Sequence, residues 1–238
     1  VLFSCFLIYT LPAAFVWGYL SPHVSNQLKQ MRLDITNVAG TVWRGQVLLN
    51  YQGYNVLAGW QLEGSQLLSG KLGVVIDAKS SLGELHGEVF SNLNDHDVSI
   101  RSAKVFLGKV TPFISKTKVV LDGVFEAENV RLVLHEKEIT DSMGLFSWSG
   151  GDISYPVGRQ HHQRSLPPFE GIISWQDPNI HLGIRDDSSD FDVIEVMLSQ
   201  AGMLRVSAKK RILDIAKENW PSSDGPRKSV FSIRRKIF

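Results

Sequence analysis

Apolar residues along most of this chain recur at every second position, the spacing of a strand with one face buried. The pattern is clearest after Gly40-Thr41-Val42-Trp43-Arg44-Gly45, where Val47, Leu49 and Tyr51 fall on one side and Gln46, Leu48 and Asn50 on the other. The two glycines bracketing Trp43 predict a tight turn into a half-buried strand, with the indole as a packing anchor against the Tyr51 or Trp60 neighbourhood. Gly53-Tyr54-Asn55 predicts the next turn and Val56 to Leu62 a second strand carrying Trp60. Gly64 then predicts a turn before Leu67 to Leu72, a run that includes Gly70. Leu33 to Val38 reads as the strand leading into this meander.

The alternation resumes in Lys71 to Ala78, Gly83 to Phe90 and Val98 to Leu107, with Asn92 to Asp97 as a turn and Thr111-Pro112-Phe113 as a break. Further strands are expected at Lys118 to Phe125, Asn129 to Glu136, Phe146 to Tyr155, Phe169 to Trp175 and Ile180 to Ile184, and at Asp192 to Leu198 paired with Leu204 to Ala208. Ile139 to Leu145 reads as a short helix or loop, and Arg211 to Lys217 as a helix. A parallel sheet needs helices alternating with its strands, and this chain lacks them. The expected fold is mainly β: a curved, largely antiparallel sheet over residues 34–218.

The first twenty residues break this pattern. Val1 to Leu20 carries no charged side chain, and at ~1.5 Å per residue it is about long enough to cross a ~30 Å hydrocarbon core. A transmembrane anchor over residues 1–20 is therefore expected, with Trp17 and Tyr19 suited to the outer membrane interface. A cleaved signal peptide is the competing reading, since Pro12-Ala13-Ala14 supplies small residues, but Phe15-Val16-Trp17 continues the apolar run. A buried core helix is a third. Ser21-Pro22 predicts the start of a short amphipathic linker helix over 21–33, with Val24, Leu28 and Met31 on one face.

At 238 residues and 43% hydrophobic the chain can bury a core, and a formal net charge of +1 gives no case for nucleic acid. Its one cysteine, Cys5, lies in the apolar run, so neither an intramolecular disulfide nor a cysteine metal site is available. Positive charge gathers at the end: residues 219–238 form a basic and apolar tail holding Arg227-Lys228 and Arg234-Arg235-Lys236. Such a tail suits anionic lipid headgroups, and it equally suits a frayed, solvated terminus.

Candidate chemistry is sparse. His161-His162 sits in a predicted loop with no carboxylate at helical spacing. Asp186, Asp187, Asp190 and Asp192 lack the central Gly and terminal Glu of an EF-hand and read as a solvated turn. Asn94-Asp95-His96-Asp97 has no companion nucleophile motif, Gly150-Gly151 lacks the Lys-Ser/Thr of a phosphate loop, and Ser147 and Ser149 lack the Gly-x-Ser-x-Gly elbow. No catalytic residue, cofactor or metal ligand is assigned, and the chain is expected not to be an enzyme.

Gly40-Thr41-Val42-Trp43-Arg44-Gly45, Gly59-Trp60-Gln61-Leu62 and Leu68-Ser69-Gly70-Lys71-Leu72, after one apolar segment, resemble type II secretion system protein N. Trp148-Ser149-Gly150-Gly151-Asp152-Ile153 also resembles the family's glycine-rich start of a strand. AsmA-like envelope proteins show a looser likeness. The resemblance implies a single-pass inner-membrane protein of Gram-negative bacteria with its bulk in the periplasm, working with other subunits of a machine that exports folded proteins. Gly40, Thr41, Trp43, Gly45, Trp60, Gly70, Gly150 and Gly151 would be its structural motif residues. Membrane lipids and an apolar ligand are the further expected partners; the AsmA-like likeness adds the alternative of acyl chains held in an apolar β groove.

Overall fold

The computed structural model describes residues 10–30, 32–64, 70–114, 119–136, 138–157, 160–219 and 224–237. Two compact units divide the chain, residues 1–98 and 99–238. Residues 1–9 of the expected anchor, and parts of the Leu67 to Leu72 and Lys118 to Phe125 stretches, lie outside the described residues.

Helix α1, Ala13–Gln30, opens the first unit. Ser21-Pro22 does not start a helix as expected; α1 runs straight through Pro22. Proline removes the N–H that Gly18 O would accept in an α-helix, and the Ser21 hydroxyl supplies a donor to that carbonyl instead, at 3.4 Å. Anchor and linker are therefore not separate helices here. Among the described residues no helix is long and apolar enough to cross a membrane. Ala13 is buried and Val16, Trp17, Val24 and Leu28 are half-buried, a stripe at helical spacing. Phe15 and Tyr19 face out at 72% and 74% exposure. Trp17 lies on the packed side, against the sheet.

The strands of this unit are β1 (Leu33–Gly40), β2 (Arg44–Tyr51), β3 (Tyr54–Glu63), β4 (Leu72–Ser80) and β5 (Gly83–Ser91), followed by β6 (Asp95–Phe106). They are hydrogen-bonded in chain order. The β2–β3 turn is Gln52-Gly53, one residue earlier than expected, with φ of +52° and +91° and Tyr51 opposite Tyr54. Both φ values are positive, as in the tight turns that follow the twist of a hairpin. Asn92 to Asp97 is only partly a turn, because β6 begins at Asp95.

In the second unit β6 is followed by helix α2 (Leu107–Ile114), which carries Thr111-Pro112-Phe113. Strand β7 (Val120–Leu121), β8 (Val124–His135), β9 (Glu138–Trp148), β10 (Gly151–Val157) and β11 (Gln160–Leu166) come next. Then follow β12 (Phe169–Gln176), β13 (Asn179–Asp186), β14 (Ile194–Ser199), β15 (Met203–Lys209), helix α3 (Lys210–Ala216) and β16 (Ser229–Lys236). The main sheet here orders β6-β8-β9-β12-β13-β14-β15-β16, and a three-stranded sheet orders β11-β10-β7. All registered pairings are antiparallel. Strands β1 and β16 each have one strand neighbour.

Several expectations change in this unit. Ile139 to Leu145 is strand, because β9 pairs with β8 on one side and β12 on the other; two ladders override weak local preference. Lys118 to Phe125 and Phe146 to Tyr155 are not single strands. Gly123, at φ +94°, and Gly150, at φ +76°, break them, sending β7 and β10 into the small sheet. His161 and His162 lie on β11, opposite Pro156 and Tyr155, rather than in a loop. The basic tail is neither wholly frayed nor structureless: Ser229 to Lys236 forms β16 against β15. The Arg211 to Lys217 helix is present as α3. Trp148, Phe169 and Val193 form the buried core, with Leu107, Leu121, Leu166, Ile184, Ile194 and Ile212 among the residues packed on it.

Candidate functional site

The Gly40 to Gly45 loop is a four-residue connection closed by the Gly40–Gly45 ladder pair. Thr41 N–H donates to Arg44 O at 2.9 Å, and Arg44 N–H donates to the Thr41 hydroxyl at 3.2 Å. The aromatic that seals it comes from β3: the Trp60 indole N–H donates to Val42 O at 3.0 Å. The Trp60 ring lies against Gly45, where any Cβ would collide with the ring and stand 2.6 Å from Ala39 O. Trp43 is half-buried, and its carbonyl accepts from Leu62 N–H at 2.7 Å. The same loop holds the chain ahead of α1: Val42 N–H donates to Leu11 O at 3.1 Å, and Pro12 bridges Thr41. Between α1 and the sheet lies an apolar cleft of about 280 Å³, lined by Val16, Trp17, Leu20, Val38, Val47 and Trp60 among others. The loop thus fixes where helix α1 leaves the sheet.

Trp148-Ser149-Gly150-Gly151-Asp152 builds a similar node in the second unit. The Trp148 indole N–H donates to Asp122 O at 2.9 Å, and its ring stacks on Phe169 at 5.8 Å between centroids. The Ser149 hydroxyl accepts from Val124 N–H at 2.9 Å and donates to Gly150 O at 3.1 Å. A Cβ on Gly150 would meet Leu166 O at 2.8 Å, at a φ that side chains resist. In both nodes a tryptophan N–H satisfies the carbonyl of a loop that cannot reach a ladder partner.

A polar cluster brings β10, β11 and the end of α3 together. Glu218 accepts from the Tyr155 hydroxyl at 2.7 Å and Arg164 at 3.1 Å, with His162 Nδ1 at 3.4 Å. Arg164 Nε also donates to Ala216 O at 3.0 Å, tying off the helix C-terminus. Hydrogen bonds from Tyr155 and then His162, helped by the Arg164 charge, hold the Glu218 carboxyl below its ordinary range. Burial, then the bond to Glu218, pushes the Tyr155 phenol up. Beside the cluster is a cavity of about 730 Å³ lined by Ile153, Leu166, Ile212, Leu213, Ala216 and Phe231, with Tyr155 and Glu218 at its polar end.

A family model described as type II secretion system (T2SS), protein N, matches residues 31–219. The chain belongs to that family. No curated protein and no solved structure matches it. The protein N match spans both tryptophan nodes and reaches Glu218, while the whole of α1 and the whole of β16 lie outside it. It adds nothing in support of the AsmA-like likeness.

In this protein N family member three of the four acidic candidates, Asp186, Asp190 and Asp192, are drawn into ion pairs. Asp186 is buried and accepts from Arg211 at 2.9 Å and from the Ser188 and Ser189 hydroxyls. Burial opposes its ionisation, but those three donors together outweigh it and hold the carboxyl well below the usual range. Asp192 pairs with Arg185 at 3.0 Å and Asp190 with Arg227. Among the described residues no group of three or more His, Cys, Asp or Glu could hold a metal ion. His96 Nδ1 lies 2.7 Å from the Ser91 hydroxyl. Gly70 stands in open space at φ +72°, a turn before β4. Tyr155, Arg164, Arg211, Asp122 and Glu218 escaped sequence reasoning, since 63 residues separate Tyr155 from Glu218 and no spacing rule links them.

Proposed function

We propose that this chain is a non-enzymatic inner-membrane component of the type II secretion system. Its apolar N-terminal segment anchors it as a single-pass protein, and its β sheet stands in the periplasm and supports export of folded proteins across the outer membrane through contacts with other subunits. The observation that carries the reading is the match of the protein N family model over residues 31–219. The Thr41–Arg44 loop, inside the matched region, grips Leu11 and Pro12, so the uncharged run is held beside the sheet from Leu11 onward. Protease added to spheroplasts should digest the chain from its C-terminal side, and deletion of the gene should leave a folded secreted enzyme in the periplasm. A chain protected in intact spheroplasts, or secretion unchanged by deletion, would overturn the reading.

The cavity beside Glu218 supports a second reading, an acyl chain carried in an apolar β groove. Its volume falls in the range of small-molecule sites, ~300 to 1,000 Å³, and its lining is apolar with one polar end. Displacement of a hydrophobic fluorescent probe by fatty acid, lost on Ala216→Trp, is the expected result; no probe binding would remove this reading.

A further inference from the structure

Strand β16 is the last strand of its sheet, bonded to β15 on one side only. Such an edge presents a row of backbone donors and acceptors that another strand can complete. We propose that this edge docks an acidic, extended segment of a partner protein, added as one more strand beside Phe231 to Lys236. The family match ends at residue 219, so the inference is independent of the secretion reading.

The argument rests on how side chains alternate across the edge. On one face of the sheet stand Ser232, Arg234 and Lys236, and Arg234 is directly opposite Arg205 of β15. Like charges facing each other across a ladder are destabilising. Among the described residues Arg205, Arg234, Arg235 and Lys236 make no ion pair, whereas Arg227 and Lys228 are paired with Asp190 and Asp224. On the opposite face, Phe231 and Ile233 are 52% and 48% exposed, followed by Arg235. A strand laid along β16 projects its own side chains alternately to the two faces. One that alternates carboxylates with branched apolar residues would set the former beside Arg234 and Lys236 and the latter beside Phe231 and Ile233.

The same geometry disfavours other occupants. A planar anionic bilayer can touch one face of the sheet only: against Phe231, Ile233 and Arg235 it leaves Arg234 and Lys236 unmet on the other. A second copy of β16 would bring arginines against arginines.

The test uses the full chain and a capped peptide alternating Val and Glu, read by fluorescence anisotropy. Binding is expected to weaken with salt and to fall roughly ten-fold for Arg234→Ala combined with Lys236→Ala, while Arg227→Ala stays within about two-fold. A peptide of the same charge interrupted by proline should bind poorly, since it cannot complete the ladder. Circular dichroism of the variants separates lost binding from lost folding. Equal affinity for the proline-interrupted peptide would overturn the proposal. So would an absence of peptide binding alongside retention on phosphatidylglycerol vesicles, or self-association through β16.

Discussion

Trp60 and Trp148 perform the same physical task in different parts of the chain: each covers a glycine and gives its indole N–H to a loop carbonyl. Truncation of a packed aromatic removes both, so Trp60→Ala should cost about 3 to 5 kcal/mol in urea unfolding. Trp60→Phe keeps most of the packing but leaves the Val42 carbonyl short of a donor, for about 1 to 2 kcal/mol. Equal losses for the two variants would count against the hydrogen bond. Asp186 gives a pH prediction. Its folded carboxyl titrates below the unfolded one, so its contribution is fully present above the ordinary carboxylate range and is lost as pH falls toward the depressed folded value. Stability should therefore drop on acidification below about pH 4, and Asp186→Asn should flatten that slope. Because Asp186→Asn also leaves Arg211 without its charge partner, it should cost about 2 to 4 kcal/mol at neutral pH. An acid slope unchanged by the substitution would reject this account.

Among the elements, α1 is the one whose sequence argues against its own continuity. A proline inside a helix costs ~3 kcal/mol, and the helix persists because its Val16, Trp17 and Leu20 side pack toward the sheet while Ser21 meets the stranded Gly18 carbonyl. Pro22→Ala should raise stability, and Ser21→Ala should lower it by roughly 0.5 to 1 kcal/mol in the native background only. In the Pro22→Ala background Gly18 O regains a backbone donor, so Ser21→Ala should become nearly silent. Persistence of the Ser21→Ala effect there would show that the hydroxyl acts elsewhere. The Gly150 turn is the comparable point in the second unit. Gly150→Ala forces a side chain into left-handed φ and against Leu166 O, and a shift of a few degrees or more in Tm is the expected loss.

At the scale of the whole molecule, buried apolar residues are few: Ala13, Ala127, Trp148, Phe169 and Val193 among those described. Strands with partly exposed faces depend on ladders more than on a deep core, so protection from hydrogen exchange should follow strand position. Amides of β9, β12 and β13, paired on both sides around Trp148 and Phe169, should exchange slowest. Those of β16 should exchange fastest in the isolated chain. Equal protection of β16 and β13 would show that the edge is already covered.

Alternation in the sequence determined the strands wherever one face is apolar and the other polar: β2 to β5, β12 and β13 fall close to where the pattern puts them. It also carried the mainly β class, and Gly40 to Gly45 with Trp60 marked the family. Tertiary structure decided what local pattern could not. Ile139 to Leu145 became strand because ladders on both sides outbid its ambiguous preference, and Gly123 and Gly150 divided runs that read as continuous. Residues 229 to 236 turned from a basic tail into a strand because β15 offered a free edge. The Tyr155, Arg164 and Glu218 cluster joins residues far apart in the chain. A one-dimensional pattern records which face a residue takes, but the partner across that face is fixed only when strands distant in sequence are brought side by side.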